Sequence, residues 1–215
     1  MRRTLLSGFL LLAFAAPAVR GQAAPLVDDV DWGPLRDHCR RLVQGLDVLK
    51  APLPDATTQA LKTLLKDESA DPDAAAAAVQ KLLDPHCLLM VTINPESRVK
   101  AARGLAAAEL ERDQERIILV KVQNDAGSTA ALSVSGPELR ESGKPAEGCW
   151  LEAARATEPP LTRKLSGQRL EYVVLRLTAR EAGKREATFR FDVGQGTQDL
   201  GFRAEAPILF TVRVH

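Results

Sequence analysis

The sequence predicts an α+β chain, an N-terminal helical unit followed by an antiparallel Ig-like β-sandwich, and three observations carry that prediction. Apolar residues recur every three or four positions between residues 31 and 84. After Pro85 the period changes to two, the signature of half-buried strands. Short alternating segments then follow one another to residue 214, separated by Gly, Pro, Asn and Asp, as in a two-sheet sandwich. The chain accordingly divides into residues 1–23, an export signal, 24–86, the helical unit, and 87–215, the sandwich.

The first helix is marked by Leu35, Cys39, Leu42, Leu46 and Leu49, with Arg36, Arg40, Arg41, Asp47 and Lys50 largely on other faces. Pro52 and Pro54 stop it. Asp55 is placed to cap a second helix carrying Leu61, Leu64 and Leu65, and Asp71 followed by Pro72 is a cap and first turn for a third. The third contains the alanine run 74–78, then Val79, Leu82 and Leu83; alanine favours helix and permits close packing.

The strand half begins with Leu89, Val91 and Ile93 and stops at Asn94 and Pro95. Further strands are expected over residues 117–123, 132–135, 170–178, 186–193 and 208–214, with a short one around Trp150. Residues 124–128 and 180–184 read as hairpin turns with a Gly for the positive-φ position. Residues 136–148 and the Pro159-Pro160 region read as long surface connections.

Arg2 and Arg3, an apolar run from Leu5 to Ala16, and small residues at Ala18, Gly21 and Ala23 form a secretory signal pattern, with cleavage expected between Ala18 and Ala24. The run falls short of the roughly 20 residues of a membrane span. A secreted or periplasmic location is expected, without membrane insertion after cleavage. Removing residues 1–23 takes away Arg2, Arg3 and Arg20, so that 29 basic against 28 acidic side chains become 26 against 28. That balance argues against nucleic acid as a partner, which calls for a concentrated basic patch. In an oxidising compartment Cys39, Cys87 and Cys149 allow one disulfide and one free thiol. Cys39 with Cys87 is the favoured pairing, and unpaired buried thiols are the competing one.

No catalytic constellation is recognisable. His38, His86 and His215 are far apart and lack metal-ligand spacing, the cysteines do not match a zinc site, and no nucleophile elbow or phosphate-binding loop occurs. No catalytic residue, metal or cofactor is therefore expected. The one loop with convergent polar groups follows the strand ending at Val193. There Asp192, Gln195, Thr197, Gln198 and Asp199 supply side-chain oxygens, and Arg203 could clamp a carboxylate. Its spacing is not that of an EF-hand. A structural corner is favoured, with Gly194, Gly196 and Gly201 permitting tight bends and the polar side chains bonding loop backbone. Trp150, Tyr172, Phe189, Phe191, Phe202 and Phe210 all lie in the strand half, and core packing is favoured over an outward glycan-binding face.

Residues 83–89 (Leu-Asp-Pro-His-Cys-Leu-Leu), 93–100 (Ile-Asn-Pro-Glu-Ser-Arg-Val-Lys), 119–124 (Leu-Val-Lys-Val-Gln-Asn) and the loop of residues 189–203 together resemble the N-terminal region of exported, planctomycete-type CehA/McbA-like metallohydrolases. The resemblance covers about residues 80–215. It implies a lead-in of helices and β-sandwich, which in that family precedes a PHP-type metal-dependent hydrolase domain. None of the family's metal ligands has a counterpart in this chain, so the resemblance implies an accessory module and no enzyme. The functional expectation is an exported, non-catalytic binding or scaffolding module whose ligand the sequence does not name, with a protein partner or a separate hydrolase domain as the candidate partners. Two alternatives stand beside it: an accessory domain acting with a separate hydrolase chain, and a glycan-binding module.

Overall fold

The computed structural model describes residues 24–140, 147–194 and 204–214. Three helices come first: α1 (Trp32–Val48), α2 (Asp55–Lys66) and α3 (Pro72–Leu83). Asp31 caps α1 by accepting from the Gly33 N–H, and Asp71 caps α3 by accepting from the Ala74 N–H at 2.9 Å. A single 3₁₀ turn, Asp84–His86, ends the helical part, and strand begins at Cys87. Among the described residues no helix is long and apolar enough to cross a membrane.

Ten strands follow: β1 (Cys87–Ile93), β2 (Val99–Arg103), β3 (Glu109–Glu111), β4 (Glu115–Asn124), β5 (Ser133–Ser135), β6 (Leu139–Arg140), β7 (Leu151–Arg155), β8 (Leu170–Ala179), β9 (Gly183–Asp192) and β10 (Glu205–Arg213). They form a six-stranded sheet in the order β2-β1-β4-β8-β7-β6 and a four-stranded sheet in the order β3-β10-β9-β5. The α+β class holds, but the sheets are mixed instead of antiparallel. The pairs β1 with β4, β6 with β7 and β3 with β10 are parallel. Parallel neighbours need a crossover connection, and β1 reaches β4 only after the chain has passed through β2 and through β3 in the opposite sheet.

The expected hairpins at residues 124–128 and 180–184 are corrected for the same reason. Gly127 and Gly183 do take positive φ, 62° and 104°. However, the first turn leads from β4 to β5 and the second from β8 to β9, and each of these pairs lies in different sheets. The turns are corners between layers. Three strands, β2, β3 and β6, arise where no strand is expected from the sequence. All are short and lie at or next to sheet edges, and β6 interrupts the segment 136–148 that reads as a loop.

The six-stranded sheet is the middle layer, and its two central strands are covered on both faces. Leu119, Leu170, Tyr172 and Val174 pack with Leu35, Cys39, Leu42, Leu61, Val79 and Leu83 of the helices. On the opposite face Val120, Val122, Val173, Leu175 and Leu177 join Ala187, Phe189, Phe191, Ile208, Phe210 and Val212 of the four-stranded sheet. Strands covered on both faces are near-continuously apolar, as residues 117–122 and 172–175 are. Trp150, Tyr172, Phe189, Phe191 and Phe210 are core, and Phe202 lies outside the described residues. Trp150 stands edge-on to Phe210 with centroids 5.9 Å apart, and its Nε1 donates to the Glu186 carbonyl at 3.2 Å.

Gly104, just after β2, shows how closely main chains approach here. Its N–H donates to the Leu88 carbonyl at 2.8 Å, and a Cβ at this position would lie 2.2 Å from the Cys87 carbonyl oxygen. Because the obstacle is backbone, no rotamer change relieves it. Gly104→Ala should lower stability by about 2 kcal/mol, read as a lower urea midpoint at unchanged slope.

Candidate functional site

Beneath the helices the middle sheet carries a polar cluster. Lys121 on β4 faces the helices beside Leu119, and Tyr172 is its cross-strand partner on β8. Lys121 Nζ donates to Asp84 Oδ2 at 2.7 Å, to Gln80 Oε1 at 2.9 Å and to the Pro25 carbonyl at 3.1 Å. All three ammonium donors are therefore used. The Tyr172 hydroxyl donates to Asp84 Oδ1 at 2.9 Å. Gln80 also fastens the N-terminal segment, accepting from the Val27 N–H at 2.7 Å and donating to the Val27 carbonyl at 2.9 Å. Burial raises the Asp84 carboxyl pKa, against the lowering effect of Lys121, and burial together with Asp84 raises the Tyr172 phenol.

A second constellation lies at the edge of β8. Strand β7 runs beside β8 from Ala179 only as far as Leu175, after which the Ala156 N–H donates to the Val174 carbonyl and the chain turns away through the cis Pro159-Pro160 bond. The uncovered edge at Tyr172 is taken by His38 of α1. Its Nε2 lies 2.9 Å from the Tyr172 nitrogen and 3.0 Å from the Tyr172 oxygen, so the ring accepts from the N–H or donates to the carbonyl according to its tautomer. Burial holds the His38 pKa down, from 6.5 to about 4, which keeps the ring neutral near pH 7.

Between α1, this edge and residues 156–166 lies a cavity of about 260 Å³. The covering segment is fastened at several points. Leu161 sits over Gly45 of α1, where a Cβ would approach it to 2.5 Å. Arg155 at the end of β7 donates to the Thr162 carbonyl at 3.0 Å, and the Leu165 N–H donates to the Ala130 carbonyl at 3.0 Å. Both carboxylate oxygens of Glu171 accept from the Ser166 N–H at 2.9 Å. Burial lowers the Arg155 guanidinium to about 10 and raises the Glu171 carboxyl.

Of the loop expected to hold polar groups, Gln195, Thr197, Gln198, Asp199 and Arg203 lie outside the described residues. Asp192 is exposed, and its Oδ1 accepts from the Gly194 N–H at 2.9 Å, where Gly194 takes φ 88°. That contact is with its own loop backbone. Cys39 and Cys87 are free thiols, which corrects the favoured bridge. Both are buried in the helix-to-sheet core, and burial pushes the Cys39 thiol up to about 12 and Cys87 higher still. Trp150 and Tyr172, the aromatic residues a sugar would need displayed, are 4% and 1% exposed. His38, Arg155, Glu171, Lys121 and Asp84 gave no sequence signal of their joint positions. Only the interruption of apolar runs at Lys121 and Glu171 hinted that these two enter a core.

No protein-family profile and no characterised protein sequence matches the chain. Among solved structures, a cysteine protease inhibitor from Entamoeba histolytica is similar over 59% of this chain and 95% of that chain, at 9% identity and a TM-score of 0.25. A likeness of that size carries no argument about fold or activity.

Two measurements test the interior. Lys121→Met leaves a buried carboxylate without its cation and should destabilise by about 3 kcal/mol. The double variant Lys121→Met/Asp84→Asn should lose clearly less, as seen in urea unfolding of both. For His38 the folded pKa lies below the unfolded one, so its contribution is full above pH 6.5 and is lost as pH falls toward about 4. Stability should drop by about 1–3 kcal/mol more over that window in the parent than in His38→Gln, which keeps a polar group for Tyr172 without titrating.

Proposed function

We propose that the protein is an exported, non-catalytic binding module whose three-layer body presents the cavity between α1 and β8 in a fixed shape. The observation that supports this reading is how the polar side chains around the cavity are employed. His38 is held on Tyr172 main chain, Glu171 on the Ser166 N–H and Arg155 on the Thr162 carbonyl. In nucleophilic or general-base catalysis the reacting side chains are paired with each other. Here each one fixes backbone, which favours a pre-organised receptor, for which little ordering entropy remains to be lost on binding. The secretory pattern of residues 1–23 supports export, and the near balance of charge beyond it favours a partner other than nucleic acid.

Purified residues 24–215, supplied with divalent metals, should show no turnover of ester, phosphoester or amide substrates above the protein-free rate. Hydrolysis that disappears with a chelator would overturn the reading. Expression of the full chain in a secreting host should yield protein outside the cytoplasm whose N-terminus, by intact mass, falls between residues 18 and 24. Retention of residues 1–17 in the recovered protein contradicts export by cleavage.

A further inference from the structure

The cavity between α1 and β8 has walls of two kinds. Leu42, Leu161, Leu165 and Val174 supply apolar surface, while Arg41, Arg155 and Lys164 bring cationic groups from three separate segments. Among the described residues no carboxylate lies at ion-pair distance from any of these three cations. Glu171 is the acid on the wall, and both its oxygens are already turned to the Ser166 N–H. Arg155 is short of acceptors: its Nε is sealed from solvent with no hydrogen-bond partner, and its Nη1 reaches the Leu132 carbonyl only at 3.5 Å. Several other arginines are matched to carboxylates. Arg176 pairs with Glu115 and Glu158, and Arg180 with Glu152 and Asp113. On this wall three cations face one carboxylate, and that carboxylate is already engaged by backbone.

We propose that the cavity is a binding site for a small amphipathic carboxylate, with the carboxylate held by Arg41, Arg155 and Lys164 and a compact apolar body seated on Leu42, Leu161 and Leu165. Apolar walls with a few placed polar groups are the usual composition of small-molecule sites. Guanidinium groups match a carboxylate in shape and charge, and a partly desolvated setting strengthens the pairing. This assignment rests on the binding-module reading and adds the ligand class and the residues.

The probe is 4-phenylbutyrate, titrated into residues 24–215 by calorimetry and by amide chemical-shift mapping. Its neutral amide and inorganic phosphate serve as the other arms. Binding should shift residues of α1, 156–166 and the start of β8, weaken as salt rises, and be lost or strongly reduced with the neutral amide. Arg41→Gln and Lys164→Gln replace exposed side chains that make no hydrogen bond or ion pair among the described residues, so the fold should survive them. Each should weaken binding about threefold, and the pair about tenfold. Arg155→Lys keeps the charge without the planar fork and should weaken binding further at similar stability. Unchanged affinity in the double variant, shifts mapping elsewhere, equal binding of the amide, or equal binding of phosphate alone would each overturn the assignment. Those failures leave the module reading standing, which only catalytic turnover removes.

Discussion

Lys121 carries a positive charge into the layer between the helices and the middle sheet, and the architecture is arranged around satisfying it. Burying an ammonium group is costly unless it is paired and fully hydrogen-bonded. The partners come from three places: Asp84 from the turn that ends the helices, Gln80 from α3, and the Pro25 carbonyl from the N-terminal segment. Because Tyr172 binds the second oxygen of Asp84, the neighbouring central strand is tied to the same point. An apolar contact tolerates sliding, whereas a four-partner polar cluster specifies one position for each element. The helical part is in this way registered on the sheet and not merely laid against it.

The second organising feature is the end of β7. Where it leaves β8, main-chain groups of a central strand need other partners, since a buried unpaired N–H or carbonyl is strongly disfavoured. His38 supplies one from α1, and the segment 156–166 closes over the gap, with Leu161 fitted to the notch that Gly45 leaves in the helix. The cavity is the space these repairs do not fill. The helix, strand edge and cover around it are each fastened by independent bonds.

Much of the local structure was legible. The three helices follow from periodicity and the proline stops, and the Asp71 cap was legible. Asp55, read as the cap of α2, is instead its first helical residue, and the N-cap position is Pro54, which has no side-chain donor or acceptor to cap with. The long strands follow from apolar parity. The short edge strands were not legible, because three residues such as Glu109–Glu111 carry no period and take their conformation from the neighbour they pair with. The glycine turns were half legible. A residue at positive φ announces a bend, but whether the bend returns to the same sheet or crosses to the other depends on the layers it joins. For the candidate site, neither His38 nor Arg155 nor Glu171 sits in a motif, and the positions come together only through the pairing of β8 and the docking of α1. Of the polar loop singled out around Val193, the Asp192 side chain accepts from its own loop backbone at Gly194.

By itself the sequence determined the class of fold, the change from helix to strand at Cys87, and which residues are apolar enough to form a core. Those properties are local: they depend on side-chain period, caps and turn residues within a few positions. Only the tertiary structure decided strand order, the parallel pairs, the middle layer with two covered faces, and the fate of Lys121 and His38. Each of these depends on residues tens of positions apart, such as Gln80 and Val27 or His38 and Tyr172, meeting across layers. A charge in an apolar strand and a histidine on a helix have no fixed meaning until the partner that satisfies them is in place.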